Sequence, residues 1–177
     1  MKKTLLTLTL CGLALIAKSQ NVSVEKSTFG LQTGVLGIWA YNEAKLSNSI
    51  ALRTELGFDF DSPFILTPVI VVEPRFYYNL KKRAENSKRI DGNSGNFIAL
   101  KTSYHPELAL FNTDDAPVVS DFSIIPTLGI RRNIGKRFNY EAGIGAGYSY
   151  TLAKGAGYSK NEGGVELNMH LRIGYSL

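Results

Sequence analysis

The last thirteen residues of the chain show its clearest pattern. From Val165 to Leu177, apolar side chains occupy the odd positions, and polar residues or glycine occupy the even ones. Such a period of two places successive side chains on opposite faces of a β-strand. Strands of soluble domains average about 5–6 residues, whereas a tilted strand that crosses a bilayer needs roughly 9–11. The length and the pattern together indicate a membrane-spanning strand.

The same alternation recurs along the chain, most regularly in residues 50–60, 70–80, 122–131 and 138–150. A less regular first strand has Phe29, Leu31, Val35, Trp39 and Tyr41 on one face. We predict strands at 29–41, 49–60, 67–80, 96–104, 107–113, 119–133, 138–152 and 164–177. No segment shows a convincing helical period. The fold class predicted is all-β, a single transmembrane antiparallel up-and-down β-barrel of about eight strands.

The count of eight depends on the short segment 107–113, without which it would be seven. Single-chain bacterial barrels have even strand numbers, short periplasmic turns and longer outer loops. With eight strands the periplasmic turns fall at 61–66, 104–106 and 135–137, on the side of both termini. The outer loops are then 42–48, 81–95, 112–120 and 153–163.

The N-terminus has the order of a secretory signal. Lys2 and Lys3 precede an apolar run that ends in Ala17-Lys18-Ser19, which predicts a signal peptide over 1–19, cleavage before Gln20 and a barrel domain over 20–177. A lipoprotein anchored at Cys11 is the alternative, but the apolar run continues past that residue. Cleavage before Gln20 leaves no cysteine, which excludes disulfides, thiol nucleophiles and thiolate metal sites.

Charge narrows the classes of partner. The formal net charge is +5, and removal of the three lysines of the signal reduces it to about +2. This is not the footprint of a nucleic-acid-binding protein. No pattern in the mature chain indicates a cofactor.

Several stretches resemble a known group of proteins. The final strand, with Tyr175 and Leu177 at its end, looks like the C-terminal assembly signal of outer-membrane barrels, although the usual terminal residue is aromatic. Residues 51–55, 73–80 and 129–133 are similar to uncharacterised small outer-membrane barrels of Gram-negative bacteria, of the eight-stranded porin-like or OmpX-like kind. The resemblance implies a fold, an outer-membrane location and recognition by the barrel-assembly machinery. It implies no catalytic residues.

Charged residues recur on the polar faces of the strands. If the apolar faces meet lipid, these charges line the lumen, and we expect a structural network formed by Arg53, Glu55, Glu73, Arg75, Lys101, Arg131, Glu141, Glu166 and Arg172. An interior of about eight strands is just wide enough to be filled by side chains. A packed ion-pair core is therefore favoured over a narrow water-filled path. The turn at 135–137 sets a register in which Arg131 lies opposite Glu141.

The segment 81–95 is basic, with Lys81, Lys82, Arg83, Lys88 and Arg89. On an outer loop these side chains could contact the phosphates of lipopolysaccharide through charge-assisted bonds. The alternative is a loop that is simply solvated.

These observations favour a non-enzymatic, monomeric barrel with a structural or surface-interaction role. A small pore for passive solute passage is the first alternative. A barrel enzyme is less favoured, because the mature chain has only two histidines, His105 and His170, and neither has an obvious Ser or Asp partner in the sequence. A soluble lipocalin-like barrel, suggested by Gly37-Ile38-Trp39, would need its apolar face to point inward.

Overall fold

The computed structural model describes residues 22–62, 65–112 and 117–177. The predicted signal peptide, its cleavage site and Cys11 lie outside the described residues. Within the described ranges the helices are short, and no helix is long and apolar enough to cross a membrane.

The described chain is an antiparallel β-structure with very little helix. Its strands are β1 Ser27–Gly34, β2 Gly37–Lys45, β3 Ile50–Ser62, β4 Ile65–Tyr77, β5 Asn96–His105, β6 Phe111–Asn112, β7 Asp121–Ile134, β8 Phe138–Thr151 and β9 Glu162–Ser176. Eight of them form a closed barrel in which each strand pairs with the next long strand and β9 pairs back onto β1. The two-residue strand β6 pairs with the first two residues of β4 and is not one of the barrel strands. The predicted all-β barrel of eight strands is confirmed.

The first predicted strand is wrong, because residues 29–41 form two strands. A two-residue turn at Val35-Leu36 reverses the chain between β1 and β2. Close packing explains the glycine after this turn, since a Cβ on Gly37 would lie 2.2 Å from the carbonyl oxygen of Phe58. The turn also exchanges odd and even faces, so Trp39 lies inside the barrel while Leu31 stays outside.

The fifth predicted strand is also wrong. Most of 107–113 belongs to a loop, and β5 pairs directly with β7 over its whole length. The predicted number of barrel strands was therefore right through two errors that offset each other. The third predicted strand ends earlier than expected, at Tyr77, and a short helix α1 follows at Leu80–Glu85.

These changes rearrange the two ends of the barrel. Both termini share one end with the turn 46–49, the segment 78–95 and the turn 135–137. The opposite end carries the turn 35–36, the ends of β3 and β4 that meet there, the described segments 106–110 and 117–120, and the loop 152–161. The predicted grouping of 42–48 and 81–95 with the other outer loops is wrong, and so is the expected contrast of short and long connections.

The two faces of the wall have opposite chemistry. Large apolar side chains such as Leu56, Ile70, Leu128 and Leu171 are exposed on the outside. Arginine and glutamate side chains are buried inside. At the end that holds the termini, Val24, Tyr77, Leu80, Phe97 and small neighbours pack into an apolar cluster. This cluster and the segment 78–95 close that end of the barrel.

Candidate functional site

Among the described residues, eight charged side chains in the interior are 0–3% exposed. They are four arginines and four glutamates, namely Arg53, Arg75, Arg131, Arg172, Glu43, Glu55, Glu73 and Glu141. Equal numbers matter, because an unpaired charge away from water costs several kcal/mol. The buried network is thus formally neutral.

The strongest contacts in this network cross the barrel. Arg75 donates to both carboxylate oxygens of Glu141 at 2.7 and 2.8 Å, and also to both oxygens of Glu73 at 3.0 and 3.1 Å. Glu55 accepts from Arg172 at 2.8 and 3.0 Å and from Arg53 of its own strand. The bidentate pairs that Arg75 forms are the strongest hydrogen bonds of a guanidinium, whereas Arg172 uses one nitrogen, Nη1, for both oxygens of Glu55. Arg75–Glu141 and Arg172–Glu55 are the pairs that cross the lumen. They tie β3 and β4 to β9 and β8 through the lumen.

The register predicted for the β7–β8 hairpin is confirmed, since Arg131 lies directly opposite Glu141. The ion pair between them is long, because Arg131 has closer partners. Their closest atoms are 3.9 Å apart, whereas Arg131 donates to the Tyr41 hydroxyl at 2.6 Å and to Glu43 at 3.4 Å. In a narrow lumen, a long side chain reaches the far wall and finds better partners there than on the neighbouring strand.

Glu43 is the main interior residue that the sequence analysis missed. It accepts hydrogen bonds from the Tyr77 hydroxyl at 2.8 Å and from Asn93 Nδ2 at 2.6 Å, in addition to that from Arg131. The first predicted strand ended at 41, which placed Glu43 in a loop. The signal that could have found it is the Gly34–Gly37 segment, because a turn there puts residues 39, 41 and 43 on one inward face.

Aromatic rings complete the packing around the guanidinium groups. Arg53 lies over the Tyr41 ring at 4.0 Å, Arg75 over Phe97 at 4.2 Å and Arg172 over Trp39 at 3.8 Å. A cation over an aromatic face gains about 2 kcal/mol when it is desolvated. These rings replace water on the faces of guanidiniums whose edges bind carboxylates.

Two residues of the expected network lie apart from it. Lys101 and Glu166 are only half-buried, and in the part of the chain that the structure describes neither forms an ion pair. Lys101 instead lines a cavity in the barrel wall near Asp59 and His170. The other seven expected residues all belong to the buried cluster.

His105 has carboxylate partners that the sequence analysis did not foresee. It ends β5 rather than lying in a turn, and its Nδ1 is 3.0 Å from Asp121 Oδ1 while its Nε2 is 3.2 Å from Asp59 Oδ2. Asp59 also accepts a hydrogen bond from Trp39 Nε1 at 2.8 Å. The four residues of this cluster link β2, β3, β5 and β7. Both ring nitrogens of His105 are engaged with carboxylates, so neither is free to activate a nucleophile.

His170 lies on the inner face of β9, as its parity predicts. A Cβ on Gly143 would be 2.4 Å from its ring, so the glycine provides the space that the imidazole fills. Its Nε2 is 3.6 Å from Glu141. Among the residues that the structure describes, no group of three or more candidate ligands could hold a metal ion.

The two residues of the expected assembly signal lie at the closure of the barrel. Tyr175 pairs with Leu31 of β1, its ring packs edge-on against Phe138 at 5.3 Å, and its hydroxyl accepts a hydrogen bond from Arg137 at 2.8 Å. Leu177 is exposed, and its backbone N–H donates to Phe29 at 3.0 Å. The C-terminal residues therefore complete the β1–β9 seam.

The basic segment that was expected to meet lipopolysaccharide, with Lys81, Lys82, Arg83, Lys88 and Arg89, lies at the end that holds both termini. Part of its charge is used locally. Arg83 donates to the carbonyl of Arg89, and Arg89 binds Asp91 and the carbonyl of Gly135. The hydrogen bond from Arg89 lowers the pKa of Asp91 below its ordinary value. These hydrogen bonds hold the basic segment against the turn 135–137 at this end of the barrel.

Comparisons of this chain with protein-family models, curated proteins and solved structures find no match.

Proposed function

We propose that the protein is a bacterial outer-membrane β-barrel without enzymatic activity, which serves a structural or surface-interaction role and whose lumen is sealed by the ion-pair network. The observation that carries this proposal is the inverted chemistry of the wall. Exposed Leu, Ile, Val and Phe side chains surround the barrel, and eight charges fill it. So much exposed apolar surface is not expected of a protein that stays monomeric in water, but it is what a lipid-facing wall needs.

The same observation argues against a soluble lipocalin-like barrel, in which the apolar face would line a ligand cavity. In this barrel the inward-facing positions hold buried guanidinium groups instead of a ligand cavity. Trp39 of the Gly37-Ile38-Trp39 element lies against the guanidinium of Arg172. An enzyme is not favoured either, because the carboxylates around His105 occupy both of its nitrogens. We propose no cofactor and no nucleic-acid partner.

In this proposal the end with the termini faces the periplasm. The segments 106–110 and 117–120 and the loop 152–161 then face outward and are the candidate surfaces for interaction. The basic segment 81–95 then lies on the periplasmic side of the membrane. We therefore no longer propose that it contacts lipopolysaccharide on the outer surface. The proposed partners are membrane lipid, with the assembly machinery during insertion, and the proposed state is a monomer.

Folding into membranes is the first test. We expect the mature protein to fractionate with outer membranes and, after refolding into lipid vesicles, to migrate differently on gels before and after boiling. We also expect no steady conductance in planar bilayers, because eight buried, mutually paired charged side chains occupy the lumen. A folded monomer that stays soluble without detergent would contradict the membrane location. Reproducible single-channel steps would favour the pore.

A second test concerns assembly. We expect Tyr175→Asp combined with Leu177→Asp to leave unassembled, protease-sensitive protein in the periplasm, because both substitutions put charge at the β1–β9 seam. The matched control is Leu108→Asp with Leu110→Asp, two exposed apolar residues outside the long strands. The control variant should insert normally. Normal insertion of the Tyr175/Leu177 variant would contradict the assembly role of these residues.

A further inference from the structure

The barrel wall is incomplete on one side. The β1–β2 hairpin turns back after Gly34, which lies opposite Arg172 of β9. Residues 162–171 of β9 therefore pair with β8 alone. On the far side of the hairpin, β3 continues past Asp59, the residue opposite Gly37. A notch is left between β9 and β3 above the short hairpin, at the end away from the termini.

A cavity of about 400 Å³ occupies this notch. Its outer rim is formed by Val35, Leu36, Met169 and Leu171, which are exposed on the apolar face of the barrel. Its inner wall includes Trp39 and Lys101. Small-molecule sites span roughly 300–1,000 Å³ and combine apolar walls with a few polar groups. The cavity has this size and composition, and it opens onto the apolar outer face.

Two cations, Lys101 and Arg172, lie at the inner end of the cavity, and they differ in their pairing. Lys101 has no ion-pair partner within the described ranges. Arg172 is 3% exposed, and its Nε, although buried, has no hydrogen-bond acceptor. The nearby carboxylates are already engaged, because Asp59 binds Trp39 and His105 while Glu55 binds two arginines. Arg172 is paired with Glu55, so Lys101 is the cation lining the cavity that has no carboxylate partner within the described ranges.

We propose that the notch binds a lipid amphiphile with an anionic headgroup, whose acyl chain lies along the apolar rim while the headgroup reaches Lys101. The inference rests on the proposed membrane location. The polar headgroup, unlike the acyl chain, could also hydrogen-bond backbone groups on the open edge of β9, which would be costly against bare hydrocarbon. A second copy pairing along this edge would satisfy them too, but it would not compensate Lys101.

The only tryptophan of the chain lines the cavity and can report on it. Trp39 is 3% exposed, so a brominated acyl chain should quench it efficiently only from within the notch. We would refold the protein into phosphatidylcholine vesicles that contain a small fraction of brominated phosphatidylglycerol or, in parallel, brominated phosphatidylcholine. Half-maximal quenching should need about tenfold less of the anionic lipid, as expected for one charge-assisted hydrogen bond.

Lys101→Met should abolish this preference, whereas Lys160→Met, an exposed lysine outside the cavity, should keep it. Equal quenching by the two lipids, or a preference that survives Lys101→Met, would overturn the inference. So would a disulfide-linked dimer of a Leu167→Cys variant, since that would assign the open edge of β9 to a second copy. Only protein with heat-modifiable migration enters the assay. Failure to insert would overturn the membrane proposal, whereas inserted protein without the preference would overturn the lipid site alone.

Discussion

Arg75→Met is expected to lower the free energy of unfolding by about 3–5 kcal/mol. Arg75 holds Glu73 and Glu141 together with four hydrogen bonds, all of them inside the lumen. Its removal leaves two buried carboxylates with too few partners. The measurement is urea unfolding from lipid vesicles, followed by the fluorescence of Trp39.

A double-mutant cycle separates this pair from its neighbour. Arg75→Met with Glu141→Gln should show a coupling energy of about 2–3 kcal/mol, because each change alone strands the other partner. Arg131→Met with Glu141→Gln should show about 0.5 kcal/mol or less, since those side chains are 3.9 Å apart and have other partners. Coupling that is larger for Arg131 than for Arg75 would contradict the cross-barrel pairing.

Leu128→Arg is expected to destabilise the inserted barrel by about 2–4 kcal/mol. Leu128 lies midway along β7 and is 57% exposed on the outer face. At the centre of a bilayer its replacement would place a guanidinium in hydrocarbon, where only displacement toward the headgroups relieves the cost. The same unfolding assay in vesicles measures the loss.

The matched control lies one residue away on the other face. Thr127 is 2% exposed, and its hydroxyl accepts a hydrogen bond from Asn168 at 3.0 Å. Thr127→Ser keeps that hydroxyl and should change stability by much less. If Leu128→Arg is as well tolerated as Thr127→Ser, lipid does not surround this face.

Local regularities of the sequence predicted much of the wall. Alternation in β7, β8 and β9 fixed which residues point outward, because successive side chains of a strand must take opposite faces. The three-residue turn at 135–137 set the pairing of Arg131 with Glu141 correctly. Side-chain direction and hairpin register depend on neighbours in sequence or across one hairpin, so the amino-acid sequence alone is enough to predict them.

The β1–β2 hairpin shows where the same reasoning fails. Large apolar residues recur at odd positions from Phe29 to Tyr41, which hides a two-residue turn at Val35-Leu36 that exchanges the parity of the inward face. Trp39 and Glu43 consequently moved from the expected outer face and loop into the lumen. A period of two does not reveal such a reversal, because large apolar residues recur at odd positions on both sides of it.

Closure of the barrel decided the rest. The sequence by itself determined that the strands carry charges on one face and apolar residues on the other, and hence that a barrel would be filled with ion pairs. Only the tertiary structure decided that Arg75 binds Glu141, that Asp59 and Asp121 meet at His105, and that the short hairpin leaves a notch beside β9. These contacts join strands far apart in sequence, and their geometry depends on how all eight strands are staggered around the lumen.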